Sequence, residues 1–125
     1  MKFMSAMAFV LATSVAAPAA LAHGNMAPKH GGVVQMSGET LFELVRTGTG
    51  VSIYVTDDDE ALPASTASGS VAVSAGGKSR TVPLRAGPGN RFDAPGLKLV
   101  KGDRVAVQVV PKATQARLGT VFVIK

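Results

Sequence analysis

The hexapeptide Val51-Ser52-Ile53-Tyr54-Val55-Thr56 decides the fold class. Apolar and polar side chains alternate along it, and successive side chains of an extended strand point to opposite faces of a sheet. We therefore expect a strand in which Val51, Ile53 and Val55 are buried while the intervening polar residues face solvent. No helical periodicity of apolar residues competes with this pattern, so helices are not expected.

The same alternation recurs beyond this strand, towards the C-terminus. Residues 70–74 place Val71 and Val73 on one face, and Gly76-Gly77 then suits a tight hairpin into an antiparallel strand at residues 80–84. Pro83 has no backbone N–H to donate, which predicts that the second strand lies at a sheet edge or contains a bulge.

Further extended segments are separated by Gly- or Pro-containing turns, and they lie at residues 32–36, 41–46, 92–94, 97–99, 105–109 and 118–124. The last segment is apolar on both faces, so we expect it in the centre of a sheet or under a covering segment. The total is about seven to eight strands, which predicts an all-β domain, a single small Ig-like β-sandwich or related barrel.

The first 22 residues have the organisation of a secretory signal peptide. Lys2 precedes an apolar run over residues 3–15, Pro18 breaks that run, and small residues lead to a cleavage site after Ala22. We expect export to the periplasm and, in the absence of a cysteine for lipidation, no membrane anchor after cleavage. The predicted organisation is a signal peptide at 1–22, a flexible metal-ligand segment at 23–31 and a β-sandwich domain at 32–125.

Composition narrows the range of partners. The chain has 13 basic and 8 acidic residues and no cysteine. The basic residues are spread singly and aromatic residues are few, which indicates an ordinary solvated surface and argues against a nucleic-acid interface. Without cysteine, disulfides and thiolate metal sites are excluded.

Histidine and methionine are concentrated in one short region. After the predicted signal peptide the chain has two of each, and all lie between residues 23 and 36: His23, Met26, His30 and Met36. Imidazole nitrogen and thioether sulfur are ligands that suit copper, and the thioether favours the cuprous ion. Met36 stands in an apolar strand, where methionine more often fills a core, so we do not include it among the ligands.

The predicted metal ligands are His23, Met26 and His30. Cleavage after Ala22 would give His23 a free α-amine with a pKa of about 8, able to chelate a cupric ion together with its own imidazole. His30 would add a nitrogen, because glycines on both sides of it let the segment fold back. The simplest alternative is a disordered terminus that binds nothing, with His23 an accident of processing.

Residues 23–35, His-Gly-Asn-Met-Ala-Pro-Lys-His-Gly-Gly-Val-Val-Gln, carry a resemblance to a known group. They resemble the opening of small exported proteobacterial proteins with an N-terminal His-Gly and a Pro-x-His-Gly-Gly-Val-Val motif, followed by a Phe-Glu-Leu-Val strand, here residues 42–45. The segment is distantly similar to the N-terminal segment of heavy-metal efflux periplasmic adaptor subunits, so the resemblance implies metal handling. Where the group has histidine and glycine after Val55, this chain has the acidic run 57–60.

The remaining motifs point to no further site. The acidic run 57–60 lacks the spacing of a calcium-binding loop, so we expect a solvated hairpin end. Nucleophile-elbow, phosphate-loop and zinc-helix motifs are missing, so we expect no enzyme.

The sequence predicts a periplasmic metal-binding protein, with copper as its ion, that buffers the metal or delivers it to an efflux or resistance component. The alternative is a metal-independent exported β-domain that docks a protein partner through a sheet edge.

Overall fold

The computed structural model describes residues 26–125. The predicted signal peptide and the predicted ligand His23 lie outside this range. The described residues form nine strands: β1 (Val33–Ser37), β2 (Thr40–Thr47), β3 (Gly50–Asp57), β4 (Glu60–Ala61), β5 (Ala67–Ala75), β6 (Lys78–Ala86), β7 (Arg91–Pro95), β8 (Arg104–Pro111) and β9 (Leu118–Val123). Their helical structure is one 3-10 turn, Ala64–Thr66, and they contain no helix of the length and apolarity needed to cross a membrane.

The strands form a nearly closed antiparallel sheet. Neighbours follow the order β1-β2-β3-β7-β6-β5-β8-β9, with the two-residue β4 paired to β3. A corner divides the sheet into two layers, because only Arg85 and Ala86 of β6 pair with β7. Strands β1 and β9, at the two ends of the order, come back against each other. The predicted all-β class, a sandwich or related barrel, is confirmed.

The core lies between the layers and follows the period-two pattern. Val51, Ile53 and Val55 are buried on β3, as their alternation predicts. Val71 and Val73 of β5 are buried as well, and fully buried aromatic rings come from three strands: Phe42 of β2, Phe92 of β7 and Phe122 of β9. These rings are the largest fully buried side chains of the described residues, and the burial of apolar area stabilises the fold.

The turns match their local chemistry. Gly76 and Gly77 both have positive φ, 56° and 80°, in the predicted two-residue hairpin between β5 and β6. Asp58 and Asp59 also have positive φ, 50° and 62°, so the acidic run 57–60 is the predicted hairpin end. Pro83 lies in the part of β6 that has no neighbour on the side away from β5 within the described chain, which confirms the predicted edge.

The expectation that the last strand is central or covered is wrong. β9 ends the strand order, and Val121 and Val123 are 43% and 48% exposed. Phe122 and Ile124 account for the buried face, whereas the outward valines suit an extended backbone through their β-branched shape and need no covering layer. Apolarity on both faces therefore reflects strand propensity here rather than burial on both faces.

Candidate functional site

A row of four side chains crosses the outer face of the β1-β2-β3-β7 layer. Val34, Glu43, Tyr54 and Arg91 are successive cross-strand partners in the register of these strands. Directly opposite residues of antiparallel strands share a face, and Glu43 points outward because its neighbours Phe42 and Leu44 point into the core. The polypeptide before β1, residues 26–32, lies over this row and is called the arm below.

Glu43 ties the arm to β2. Its Oε1 accepts hydrogen bonds from the backbone N–H of Lys29 at 3.0 Å and from Nδ1 of His30 at 3.0 Å. Its Oε2 accepts from the backbone N–H groups of His30 at 2.8 Å and Gly32 at 3.0 Å. The residue is only 4% exposed, so this carboxylate is buried and satisfied on both oxygens by the arm.

These contacts keep Glu43 ionised. Burial alone would raise the pKa of its carboxyl, but the hydrogen bond from the His30 side chain and those from the Gly32, His30 and Lys29 backbones outweigh it. The pKa of Glu43 therefore lies below its ordinary value of 4.5. At neutral pH this carboxylate acts as an acceptor only.

The imidazole ring of His30 has two contacts, one with Tyr54 on its face and one with Glu43 at its edge. It stacks on Tyr54 with ring centroids 3.5 Å apart and an angle of 6° between the planes. Since the Glu43 carboxylate can only accept, Nδ1 of His30 carries the proton, and in a neutral ring Nε2 then has the lone pair. The His30 side chain is 40% exposed. A carboxylate that accepts from one imidazole nitrogen while the other binds metal is the usual support of a metal-ligating histidine.

Gly32 makes this arrangement possible. A Cβ atom built on Gly32 would collide with the carbonyl oxygen of Leu44, so the arm can approach β2 closely only with glycine at this position. That approach brings the Gly32 N–H to Oε2 of Glu43. The sequence predicts that Gly31 and Gly32 let the arm fold back. In the structure, Gly32 makes this possible through its close approach to β2.

The structure describes one of the two other predicted ligands, Met26, but not His23. Met26 is described and 51% exposed, which leaves its thioether accessible to solvent. His23 lies outside the described residues. Met36, which we did not include, is partly buried on β1. Between residues 26 and 125 no group of three His, Asp or Glu side chains could hold a metal ion by itself.

Polar contacts continue along the row beyond Tyr54. Nε of Arg91 lies 3.0 Å from Oδ1 of Asp93, which also accepts a hydrogen bond of 2.8 Å from the hydroxyl of Ser52. Asp93 and, to a smaller extent, Tyr54 raise the pKa of Arg91. The Asp93 carboxylate is therefore already engaged by the Arg91 guanidinium and the Ser52 hydroxyl.

Sequence reasoning did not identify Glu43 and Tyr54 as parts of the site. The available signal was a single charged residue within the apolar segment Leu41-Phe42-Glu43-Leu44-Val45. Strand alternation explains such a residue equally well as an exposed one, and only the folded arm shows that it is buried. Comparison of the chain with protein-family models, with curated proteins and with solved structures gave no match.

Proposed function

We propose that this domain binds a copper ion at the N-terminal arm, with His30 as the fixed ligand and His23 and Met26 as the others. The observation that carries the proposal is the hydrogen bond of 3.0 Å between Nδ1 of His30 and Glu43. It orients the imidazole and leaves Nε2 for a metal. The ring stacking with Tyr54 holds the imidazole in the same orientation.

Each ligand has its own part in the proposed site. His30 supplies a nitrogen from a position fixed by Glu43 and Tyr54. His23, as the first residue after cleavage, supplies its α-amine and imidazole to a cupric ion. Met26 supplies a thioether, which favours the cuprous ion and adds little for cupric ion or zinc. The set is neutral and soft to borderline, which suits copper better than calcium or magnesium.

The proposal includes export to the periplasm, supported by the organisation of residues 1–22. It also includes a role in buffering copper or delivering it to an efflux or resistance component, supported by the resemblance of the first residues after the signal to such adaptor segments. No catalytic step is required of the domain in either role. The metal is its cargo.

Competition titration with a cupric chelator tests the site. The chain beginning at His23 is compared with His30→Ala and with a double variant, His30→Ala with Lys78→His, which keeps the number of histidines but moves one to an exposed position on β6. We expect cupric affinity to fall about tenfold or more in both variants, because neither has an imidazole held by Glu43. Unchanged affinity in His30→Ala, or recovery in the double variant, would contradict the proposal.

The alternative function, a metal-independent β-domain that docks a partner through a sheet edge, is favoured by one separate observation. The outer edges of β1 and β9 are not paired with another strand within residues 26–125. This observation concerns a different face of the domain and is compatible with metal binding at the arm.

A further inference from the structure

One end of the domain is formed by loops from both layers of the sheet. Residues 96–103 connect the end of β7 in one layer to the start of β8 in the other, and so cross this end. The β2–β3 turn lies beside this loop, because the N–H of Gly96 donates to the carbonyl of Thr49 at 2.7 Å. The β5–β6 turn and the C-terminus lie at the same end, since β5 and β9 end beside the start of β8.

The fold gathers cations that are spread singly along the sequence. Six exposed basic residues lie at this end and are called the basic end below: Arg46, Lys78, Lys98, Lys101, Arg104 and Lys125. Within residues 26–125 none of them forms an ion pair with a carboxylate. The acidic side chain of the loop, Asp103, is 6% exposed and closes a turn by accepting the N–H of Val100 at 2.9 Å. The C-terminal carboxylate adds one negative charge against the six positive ones.

Acidic residues are concentrated at the opposite end of β2 and β3. The β1–β2 and β3–β4 turns meet there, and the N–H of Asp58 donates to the carbonyl of Glu39 at 3.0 Å. Five acidic residues belong to these turns or border them: Glu39, Asp57, Asp58, Asp59 and Glu60. Because β2 has eight residues, they lie roughly 25 Å from the basic end, beyond the Debye length of about 8 Å in physiological salt.

The loop 96–103 presents an apolar side chain among the cations. Leu97 and Leu99 are buried and anchor the loop to the core, whereas the residues that alternate with them, Lys98 and Val100, face solvent. Val100 is 64% exposed, more than any other large apolar residue of the described chain. The loop therefore holds an uncovered apolar group with a lysine close on each side.

A cavity of about 420 Å³ opens beside this loop, between it and the β2–β3 turn. Its charged lining residues are Arg46 and Lys98, and none of its lining residues is acidic. Arg46 donates one hydrogen bond to the carbonyl of Leu99, at 3.4 Å, which leaves further N–H groups of the guanidinium for an anion. A phosphate group placed here would meet both cations.

We infer that the basic end docks on the surface of an anionic lipid bilayer. Its lysines and arginines would meet lipid phosphates, and Val100 would enter the boundary between headgroups and acyl chains. A bilayer fits better than an acidic protein, because its phosphates extend under the whole end, from the loop 96–103 to the β5–β6 turn. The acidic turns would face away from the membrane, where its charge does not repel them.

The inference does not depend on copper binding. No residue of the basic end belongs to the arm, and none contacts His30. Vesicle binding measured without metal therefore tests the basic end alone, and failure there would leave the copper proposal unaffected.

Co-sedimentation with vesicles tests the proposal, using the metal-free chain that begins at His23 and so lacks the apolar residues 1–22. Vesicles of phosphatidylglycerol and phosphatidylcholine in equal amounts are compared with vesicles of phosphatidylcholine alone, in about 0.1 M salt. We expect affinity for the anionic vesicles to be higher by about tenfold or more, and to fall by about tenfold or more when salt is raised to about 0.5 M.

Charge reversal identifies the docking surface. Lys98→Glu with Lys101→Glu should weaken binding to the anionic vesicles by about tenfold or more. Lys112→Glu with Arg117→Glu is the matched control, because it changes the net charge equally but in the exposed β8–β9 turn, at the opposite end of β8. The control should change the affinity by less than about twofold.

A tryptophan at position 100 reports whether the loop reaches the bilayer. The chain has no tryptophan, so the emission of Val100→Trp comes from this position alone. We expect a blue shift with anionic vesicles and none with phosphatidylcholine alone. Thr114→Trp, in the β8–β9 turn, should show no shift with either.

Equal affinity for the two kinds of vesicle would overturn the proposal, as would equal effects of the two double variants when both retain the β-sheet circular dichroism of the parent. So would Val100→Trp emission that does not shift when the anionic vesicles bind. Salt-sensitive oligomers in place of vesicle binding, seen by light scattering and dissociated by Lys98→Glu with Lys101→Glu, would overturn it too. They would identify the occupant as the acidic turns of a second copy.

Discussion

Nδ1 of His30 lies 3.0 Å from Oε1 of Glu43, and the same carboxylate accepts the backbone N–H of His30 at 2.8 Å. The buried side chain of Glu43 therefore fixes both the backbone and the imidazole ring of His30. This relationship joins stability to function, because the group that attaches the arm also determines which imidazole nitrogen is left for a ligand.

Replacing Glu43 with glutamine should destabilise the domain by about 2 kcal/mol. The amide oxygen can accept part of the hydrogen bonds, but the amide NH₂ would face backbone donors and leave buried N–H groups without an acceptor. Urea unfolding at neutral pH measures the effect. Glu39→Gln, at the exposed turn between β1 and β2, is the matched control and should change stability by less than about 0.5 kcal/mol.

The advantage of glutamate over glutamine should depend on pH. The pKa of Glu43 is lower in the folded state than its ordinary value of 4.5, so its ionisation stabilises the fold fully above that value. The stabilisation is lost as pH falls from 4.5 through the lower folded-state pKa. Unfolding of the parent chain and of Glu43→Gln, followed between about pH 7 and pH 3, should show the gap narrowing only in the acid range. A gap that stays constant to the acid end would show that charge on Glu43 is not what holds the arm.

The effect of glycine replacement should depend on position. Gly32→Ala forces a Cβ against the Leu44 carbonyl, so the arm must move away from β2 and the Gly32 hydrogen bond to Glu43 is lost. We expect a loss of about 2 kcal/mol in stability and weaker metal binding. Gly48→Ala is the control, since its Cβ meets no atom within 4 Å. Similar behaviour of the two variants in thermal unfolding and metal titration would argue against close packing of the arm.

Met26 should contribute to the affinity for cuprous ion but not to the affinity for cupric ion. Met26→Leu removes an accessible thioether and should lower cuprous affinity by about tenfold while cupric affinity barely changes. Met36→Leu, a volume-conserving change at a partly buried position, should alter neither. Anaerobic competition with a cuprous chelator measures both variants. An equal cuprous constant for Met26→Leu and the parent would remove this residue from the site.

The start of the chain should determine cupric affinity. One extra residue before His23 converts its α-amine into a peptide nitrogen and so destroys the six-membered chelate that the free amine forms with Nδ1 of the imidazole. A chain extended by methionine should therefore bind cupric ion about tenfold more weakly than the chain beginning at His23. If the two chains bind equally, the terminal chelate has no part in the site and His30 alone remains.

Several features of the fold could be predicted from sequence because they depend on local patterns. Alternation identified the buried residues of β3 and β5, and the Gly76-Gly77 pair identified their hairpin to β6. The position of β9 could not be predicted this way, because Val121 and Val123 have the same apolar character whether a layer covers them or not. Sheet order is set by packing between distant residues, which a single strand's pattern does not contain.

The candidate site also has parts that the sequence predicts and parts that only the fold shows. The clustering of His23, Met26 and His30 is a property of the sequence and could be recognised directly. The roles of Glu43 and Tyr54 depend on β2 and β3 being neighbours and on the arm crossing them, which joins residues 30, 43 and 54 across separate segments. A charged residue in an apolar strand, such as Glu43, is the sequence feature that indicates a site of this kind. Alternation alone does not show whether such a residue is exposed or covered.

Tyr54 offers the most direct measurement of the central proposal, that a copper ion binds at His30. It is the only tyrosine of a chain without tryptophan, and its ring is stacked 3.5 Å from that of His30. Cupric ion bound at His30 should quench Tyr54 fluorescence in proportion to occupancy, saturating at one ion per chain. In His30→Ala the remaining ligands no longer hold the ion beside Tyr54, so quenching at the same copper concentrations should be clearly weaker. Stoichiometric copper binding without quenching, or identical quenching in His30→Ala, would contradict a copper site at His30.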